Sequence, residues 1–189
     1  MKEIQRCDWP GSNELMIKYH DEEWGVPNHD DRKWFEFITL DAFQAGLSWA
    51  IVLNKRENFR KAFDYFDPVK ISKYNQTKID ELIQDAGIIR NKLKINATIS
   101  NAKAFIEIQK EFGSFDKYIW KFVNGRPIMN KWKTISKLPA STSESDILSK
   151  DLKSRGFKFV GTTICYAFMQ SAGMINDHLT NCFRYKELT

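Results

Sequence analysis

Two cysteine–histidine pairs near opposite ends of the chain have the residue types and spacing to bind one metal ion. Twelve residues separate Cys7 from His20, and three separate His178 from Cys182. On a helix, positions i and i+4 share one face, so the second pair could reach the same ion. Two thiolates and two imidazoles form the closed tetrahedral set of a structural zinc site. Buried thiols with hydrogen-bonded histidines are the alternative, and the spacing leaves both open.

A carboxylate within an apolar segment is a candidate for binding chemistry. Residues 34–43 are apolar nearly throughout, which predicts a buried helix with Asp41 on the face of Phe37 and Ile38. An unpaired buried carboxylate is costly, so Asp41 must either pair locally or face a pocket. Just beyond a predicted helix break lies Trp49. A carboxylate near an indole suits a flat, cationic ligand.

The segment at residues 85–94 predicts a helix-hairpin-helix corner. One helix ends at a glycine and another begins within a few residues. The second helix would offer backbone N–H groups at its positive end, which suit a DNA phosphate. Arg90, Lys92 and Lys94 add positive charge. The alternative is an ordinary helix corner with solvated basic side chains.

Helix signals cover most of the chain, and strand signals are few. We therefore predict an all-α fold, a single-domain helical bundle spanning residues 1–189, with residues 124–145 as a surface connection. The predicted helices cover residues 13–24 (capped by Ser12), 31–45, 48–63, 77–87, 91–112, 114–124, 143–155 and 162–173.

The composition is that of a soluble globular protein. Of the 189 residues, 42% are hydrophobic and 28% charged, and the net charge of +5 permits binding to nucleic acid without requiring it. No stretch approaches the roughly 18 apolar residues of a membrane span, so no membrane association is expected. Three cysteines are an odd number, and a reducing cytoplasm is the expected location. Without any sign of oligomerisation, we expect a monomer.

Several ordered motifs resemble the bacterial DNA-3-methyladenine glycosylase I family, within the helix-hairpin-helix DNA glycosylase superfamily. The likeness covers almost the whole chain, from Cys7 to Cys182, and several motifs in order are far more specific than one. The motifs are YHDEEWGVP at 19–27, QAGLSW at 44–49, DAGIIR at 85–90, RGFKFVG at 155–161 and NDHxxxC at 176–182.

The resemblance implies an enzyme that flips 3-methyladenine out of alkylated double-stranded DNA and hydrolyses its N-glycosidic bond. The products would be free 3-methyladenine and an abasic site. The family's single structural zinc would lie on the four cysteines and histidines above. The implied roles of the other residues are adenine reading by Asp41, stacking by Trp49, pocket lining by Trp9, Met16 and Tyr19, wedging into the duplex by Leu47, and hairpin contacts to DNA by Gly87, Ile88, Arg90 and Lys92.

Two positions depart from the family pattern, and both belong to the implied base pocket. Asp41 stands where the family usually has glutamate, which shortens the reach by roughly 1–1.5 Å, enough to break a hydrogen bond. Met16 stands where well-known members have a tyrosine. These departures motivate an alternative, a weakened or altered-specificity relative that binds DNA or modified bases. A structural zinc module without a base pocket is a third hypothesis, against which the Asp41–Trp49 pair argues.

Overall fold

The computed structural model describes residues 4–189 and confirms the predicted all-α class. Within that range there are eleven α-helices, three short 3-10 turns and one pair of two-residue strands. The helices are α1 (Glu14–Glu22), α2 (Asp31–Gln44), α3 (Trp49–Asn54), α4 (Arg56–Ala62), α5 (Pro68–Ile71), α6 (Gln76–Gln84), α7 (Lys92–Phe112), α8 (Phe115–Ile119), α9 (Ser143–Ser154), α10 (Thr162–Ser171) and α11 (Phe183–Glu187).

Short polar side chains fix the starts of the helices that carry the site. Asn13 caps α1 by accepting hydrogen bonds from the N–H groups of Leu15 and Met16, so the cap is one residue later than the predicted Ser12. Asp30 caps α2 in the same way, and Asn91 caps α7. The predicted helix 48–63 is instead two helices, α3 and α4, with a break at Lys55.

Helix α2 lies at the centre of the molecule. Every residue from Trp34 to Phe43 is buried, as the apolar pattern predicted. The helix packs against α3, α7, α8 and α10, and α10 packs in turn against α9. This burial makes the C-terminal end of α2 a rigid base for the residues that follow it. No helix in the described part of the chain is both long and apolar enough to cross a lipid bilayer.

Residues 124–145 form a surface connection, as predicted, and several of them also bond to the core. Strand β1 (Ile128–Met129) pairs in parallel with β2 (Ile175–Asn176), and Asp177 follows β2 directly. The buried Asp177 carboxylate accepts hydrogen bonds from Asn130 and Trp132 of the connection, at 2.7 and 2.6 Å. It also accepts from Tyr166 and Gln170 of α10. The connection is therefore fastened to the core, and two of its residues reach the pocket described below.

Candidate active site

A cavity of about 260 Å³ opens where α1, α2, α3 and α10 meet. Its walls are mostly aromatic and aliphatic, with a few polar groups, which is the usual make-up of a small-molecule site. The lining residues are Trp9, Met16, Tyr19, Trp24, Asp41, Gln44, Trp49, Ile135, Leu138, Ala167, Gln170 and Ser171.

Asp41 is the acidic group of this cavity and is only 2% exposed. Its Oδ2 accepts a hydrogen bond from the Ser171 hydroxyl at 3.1 Å. Burial raises the pKa of Asp41 to about 8, because the apolar surroundings disfavour the charged carboxylate. The Ser171 hydroxyl and the more distant Arg56 guanidinium lower that pKa, by smaller amounts. A carboxyl with such a pKa can change its charge near neutral pH in response to a ligand.

The Ser171 hydroxyl has two acceptors for its single proton. Besides Asp41, it lies 3.0 Å from the backbone oxygen of Phe168. When Asp41 is protonated, Asp41 can donate to Ser171 and Ser171 to Phe168; when Asp41 is ionised, Ser171 can turn to donate to it. Ser171 therefore accommodates both charge states of the acid.

Aromatic side chains build the walls that face Asp41. The rings of Tyr19 and Trp49 lie 5.2 Å apart, and those of Trp9 and Trp24 lie 5.1 Å apart. The buried indole N–H groups of Trp9 and Trp49, two of the residues that line the cavity, find no acceptor among residues 4–189. Burial, reinforced by the Asp41 carboxylate, raises the pKa of Tyr19 well above its usual value, which keeps its hydroxyl protonated.

Behind Asp41, a buried ion-pair network fixes Arg56. The Arg56 Nε donates to Glu36 at 2.6 Å, and its Nη1 donates to Glu23 at 2.8 Å. The two acids balance most of its charge, so Arg56 lowers the pKa of Asp41 without ionising it outright. Sequence reasoning missed this network because Arg56 and Glu36 lie twenty residues apart on different helices.

All five residues predicted to form the pocket do line it: Trp9, Met16, Tyr19, Asp41 and Trp49. The lining residues that sequence reasoning missed come mainly from α10 and the 124–145 connection. An apolar helix pattern gives no signal that Ser171 faces a cavity rather than the core. Ile135 and Leu138 lie in a segment without helical periodicity, so their positions depend on tertiary contacts alone.

Four buried side chains whose types can ligate a metal lie on the N- and C-terminal segments. The ligand atoms of Cys7, His20, His178 and Cys182 all lie within 4.8 Å of one another. The Cys182 Sγ is 3.5 Å from His20 Nε2 and 3.6 Å from His178 Nδ1, and the Cys7 Sγ is 3.7 Å from His178 Nδ1. The cluster can therefore hold a metal ion, as the sequence predicted.

The spacing of His178 and Cys182 placed both residues on one face of a helix. That prediction is wrong, because the two residues do not lie on a helix. They flank a turn in which the Cys182 N–H bonds the Leu179 oxygen at 2.8 Å, and α11 begins only at Phe183. The 178–182 segment follows β2, whose pairing and the Asp177 hydrogen bonds hold it away from helical geometry.

The remote nitrogen of each histidine is hydrogen bonded, which leaves the other nitrogen facing the sulfurs. His20 Nδ1 lies 2.7 Å from Asp21 Oδ1, and His178 Nε2 lies 2.9 Å from the backbone oxygen of Trp24. Such partners orient histidines that bind metals. The hydrogen bond between the two thiols lowers the pKa of Cys182 and, with burial, raises the pKa of Cys7, so without a metal Cys182 is the thiolate and Cys7 keeps its proton.

The cysteine–histidine cluster adjoins the pocket through the N-terminal segment. Tyr19, in the pocket wall, directly precedes His20, and the Trp9 ring lies 5.4 Å from the His20 ring. Both pocket residues therefore depend on a segment whose two ends, at Cys7 and His20, are held in the cluster.

The turn between α2 and α3 presents Leu47 to solvent. Gly46 adopts φ +80°, a left-handed conformation that suits glycine, and Leu47 is 39% exposed. Lys94, which we predicted to add charge to the DNA face, is instead buried. Its Nζ donates to the backbone oxygens of Phe43 and Ala45, at 2.8 and 2.7 Å, and so joins α7 to the end of α2. The predicted hairpin and the Leu47 turn are thus fastened to each other.

The predicted hairpin lies between α6 and α7, at residues 85–91. The Gly87 N–H bonds Asp85 Oδ1 at 2.7 Å, and the Ile88 side chain is buried. These two residues therefore shape the hairpin, whereas the Arg90 and Lys92 side chains are exposed. Exposed basic groups at the start of a long helix have the charge to meet a phosphate.

Comparison with known proteins gives consistent matches over nearly the whole chain. The family model described as methyladenine glycosylase matches residues 9–185. DNA-3-methyladenine glycosylase 1 of Escherichia coli K12 is 51% identical over 182 residues, covering 96% of this chain and 97% of that protein. A crystal structure of 3-methyladenine DNA glycosylase I superposes with a TM-score of 0.92 at 52% identity, covering 95% of this chain and 98% of that one. The structure of the Staphylococcus aureus enzyme, solved to explain 3-methyladenine recognition, superposes with a TM-score of 0.91 at 32% identity, covering 94% of this chain and 95% of that one.

Proposed function

The chain belongs to the methyladenine glycosylase family, and on that premise we propose that it is a DNA-3-methyladenine glycosylase. It hydrolyses the N-glycosidic bond of 3-methyladenine in alkylated double-stranded DNA. The products are free 3-methyladenine and an abasic site. The damaged base must leave the stack to reach the pocket, at an unstacking cost of a few kcal/mol.

The observation that carries this proposal is a buried carboxylate within an aromatic pocket. Methylation at N3 gives the adenine of the nucleotide a positive charge. The ionised Asp41 can accept a charge-assisted hydrogen bond from the base, while Trp49 and Tyr19 offer faces for stacking and cation–π attraction. A neutral adenine would gain much less from the same groups. The pocket therefore selects for the charge of the damaged base.

The bond broken in the reaction joins C1′ of the sugar to N9 of the base. Its electron pair passes to the base, which leaves as neutral 3-methyladenine, while water adds to C1′ and releases a proton. Because the leaving base starts as a cation, little acid catalysis is needed. The role of Asp41 is to bind and orient the base, and its burial in the pocket wall keeps competing water from the carboxylate.

Asp41 is one methylene shorter than the glutamate usual in the family. The hydrogen bond from Ser171 supports the proposal that Asp41 binds the base as that glutamate would. The hydrogen bond at 3.1 Å fixes the carboxylate within the pocket lining. Nothing favours a merely weakened relative over an active enzyme, so full activity is our proposal.

We further propose that the cysteine–histidine cluster holds one structural zinc ion. Zinc bonds of about 2.3 Å to sulfur and about 2.0 Å to nitrogen, at tetrahedral angles, separate sulfur from nitrogen by about 3.5 Å. Three of the four sulfur–nitrogen distances, at 3.5 to 3.7 Å, fit that geometry, and the Cys7–His20 pair lies within 4.8 Å. Four protein ligands leave no position for an activated water, so a bound zinc would contribute structure and not chemistry. Its effect on this chain is to hold the segment that carries Trp9 and Tyr19.

The proposed DNA face joins the Leu47 turn to the hairpin. Leu47 is apolar, exposed and held on a tight turn, which suits a wedge that fills the gap left by a flipped base. Arg90 and Lys92 would meet phosphates, while Gly87 and Ile88 keep the hairpin in shape. We expect the enzyme to act as a monomer in the cytoplasm, where its three cysteines, none of them in a disulfide, stay reduced.

Release of labelled bases from N-methylated duplex DNA tests the proposed function. The purified protein should release 3-methyladenine well above the spontaneous loss measured without protein, because this base also leaves slowly by itself. The same DNA without methylation is the control and should release no adenine. Release no faster than the spontaneous rate would rule out the proposed activity.

A further inference from the structure

A short turn after α9 exposes one basic and one aromatic side chain from an otherwise buried segment. Phe157 and Val160 are buried in the core, whereas Lys158 and Phe159 between them are exposed, Phe159 by 36%. Phe159 has φ +55°, a left-handed conformation that is uncommon for a bulky side chain. Neither the core nor an ordinary turn requires a phenylalanine in that position.

Buried polar groups hold this turn in its unusual conformation. The side chain of Asn101, 1% exposed, accepts from the Lys158 N–H at 2.7 Å and donates to the Lys158 oxygen at 3.1 Å. The Ser149 hydroxyl bonds the Val160 oxygen at 2.6 Å. A strained backbone held by such bonds is common at binding sites.

The turn lies beside the proposed DNA face. Lys158 and Phe159 line one open cleft with Leu93 and other residues from the first turns of α7, directly after the hairpin, and Leu93 is 72% exposed. The Phe159 ring centroid is 5.9 Å from the Lys94 Nζ, which in turn bonds the Ala45 oxygen two residues before Leu47. The hairpin, the Leu47 turn and the 158–159 turn thus adjoin one another around Lys94.

We propose that Lys158 and Phe159 form a third contact with duplex DNA, beside the hairpin and the Leu47 turn. Lys158 binds a backbone phosphate, and Phe159 and Leu93 pack against the adjoining deoxyribose. The inference rests on the proposed function, because it takes the hairpin face to be the DNA face. Charge favours DNA over a protein partner, since exposed Lys158 lines the cleft and exposed Arg90 and Lys92 lie just before its Leu93 in the chain. The neighbouring Arg155 is excluded, because Glu111 and Asp151 already pair with it.

Binding to a duplex with a stable abasic-site analogue, measured by fluorescence anisotropy over a range of salt concentrations, tests this contact. Lys158→Ala should raise the dissociation constant about fivefold or more and reduce the slope of log affinity against log salt by about one, because one phosphate contact is lost. Phe159→Asn should weaken binding without changing that slope. Asparagine tolerates the left-handed conformation, so this variant keeps the fold.

Two control variants separate local contact from general surface effects. Lys110→Ala removes a lysine from the other end of α7, about 27 Å along the helix axis from Lys92. Ile147→Ala shortens an apolar side chain outside the cleft that is 61% exposed, more than Phe159. Both should bind DNA as the wild type does, and all four variants should bind free 3-methyladenine normally.

Wild-type affinity and salt slope in both Lys158→Ala and Phe159→Asn would overturn the inference. If the wild type still released 3-methyladenine, only the inferred DNA contact would be rejected, and the proposed function would stand. Conversely, a wild type that releases no base, together with weakened duplex binding by these two variants, would reject the proposed function and leave the DNA contact standing.

Discussion

Asp41 must lose a proton for a cationic base to gain its full attraction. Burial raises the pKa of this carboxyl to about 8, so near neutral pH the acid of the empty pocket is largely protonated. An entering cation favours the ionised form and shifts the equilibrium towards it. Base binding should therefore release a proton below pH 8. The proton cost also discriminates against a neutral adenine, which does little to stabilise the ionised acid.

The pH dependence of kcat/KM follows from this ionisation. Because the active form of Asp41 is the carboxylate, kcat/KM for 3-methyladenine release should rise with pH and reach half its plateau near pH 8. Initial rates at low substrate concentration, corrected for spontaneous loss, measure the profile. Asp41→Asn should lose the rising limb. A wild-type profile that is flat from pH 6 to 9 would contradict the assignment.

Ser171→Ala tests whether the neighbouring hydroxyl tunes the acid. The Ser171 hydrogen bond lowers the pKa of Asp41, so its removal should move the midpoint of the kcat/KM profile upward by about one pH unit. A purely structural role would lower the melting temperature but leave the midpoint unchanged. An unshifted midpoint would therefore remove Ser171 from the mechanism.

The sequence could identify Asp41 but not its partner. An acid within a run of ten mostly apolar residues stands out in the sequence, because a buried carboxylate is costly unless it is paired or binds a ligand. Ser171 is 130 positions away, in a helix whose own pattern is apolar, and serines are common in such helices. Only the packing of α10 against α2 brings the two together, and no local signal encodes it.

At the scale of the elements, the backbone just after the C-terminal end of α10 lies very close to the backbone of residues 26–27. Gly173 has φ +73°, and a Cβ atom there would lie 2.2 Å from the Val26 backbone carbon. Backbone cannot move aside as a flexible side chain could. The approach holds the chain that follows α1 against the segment leading to β2 and His178.

Gly173→Ala should destabilise the protein by about 3 kcal/mol or more, because it combines a backbone clash with an unfavourable φ. Gly161→Ala, at the other end of α10, is the matched control. A new Cβ there meets nothing within 4 Å, so we expect a change within about 1 kcal/mol. Urea unfolding of both variants measures the difference. Equal stabilities would show that the 26–27 contact is not as close as described.

At this scale the helices were largely predictable, and the irregular segments were not. Capping residues, terminal glycines and apolar runs predicted α2, α7, α9 and α10 to within two residues, because these signals lie within each helix or at its ends. The two-residue strands have no such signals. The 124–145 connection owes its position to the Asp177 carboxylate and the β1–β2 pair, both of which are long-range contacts.

For the whole molecule, the cysteine–histidine cluster joins the two terminal segments. Cys7 and Cys182 are 175 positions apart in sequence, yet their sulfurs belong to one cluster. Closing so long a loop is costly in chain entropy, and a metal bond would offset that cost. The resemblance to the family predicted that the cluster joins the two ends of the chain, whereas the spacing of the four residues left this open. The single domain over residues 1–189 stays a prediction.

Removal of the metal should loosen the N-terminal wall of the pocket. If zinc contributes about 3 kcal/mol to folding, chelation should lower the melting temperature of a chain of this size by roughly 6 to 12 °C. Hydrogen exchange should increase first around Trp9 and Tyr19, while α7 stays protected. Cys165→Ala, which removes the buried cysteine outside the cluster, should keep its metal and serve as control. Unchanged melting and exchange after verified metal loss would contradict the anchoring role.

The most direct test of the account is single-turnover release of 3-methyladenine from duplex DNA by the wild type, Asp41→Asn and Asp41→Glu. We predict that the wild type acts far above the spontaneous rate, that Asp41→Asn loses about 100-fold or more, and that Asp41→Glu stays within about tenfold of the wild type. Wild-type rates in Asp41→Asn would contradict the account. So would an inactive wild type that Asp41→Glu restores, because the chain would then be a weakened relative.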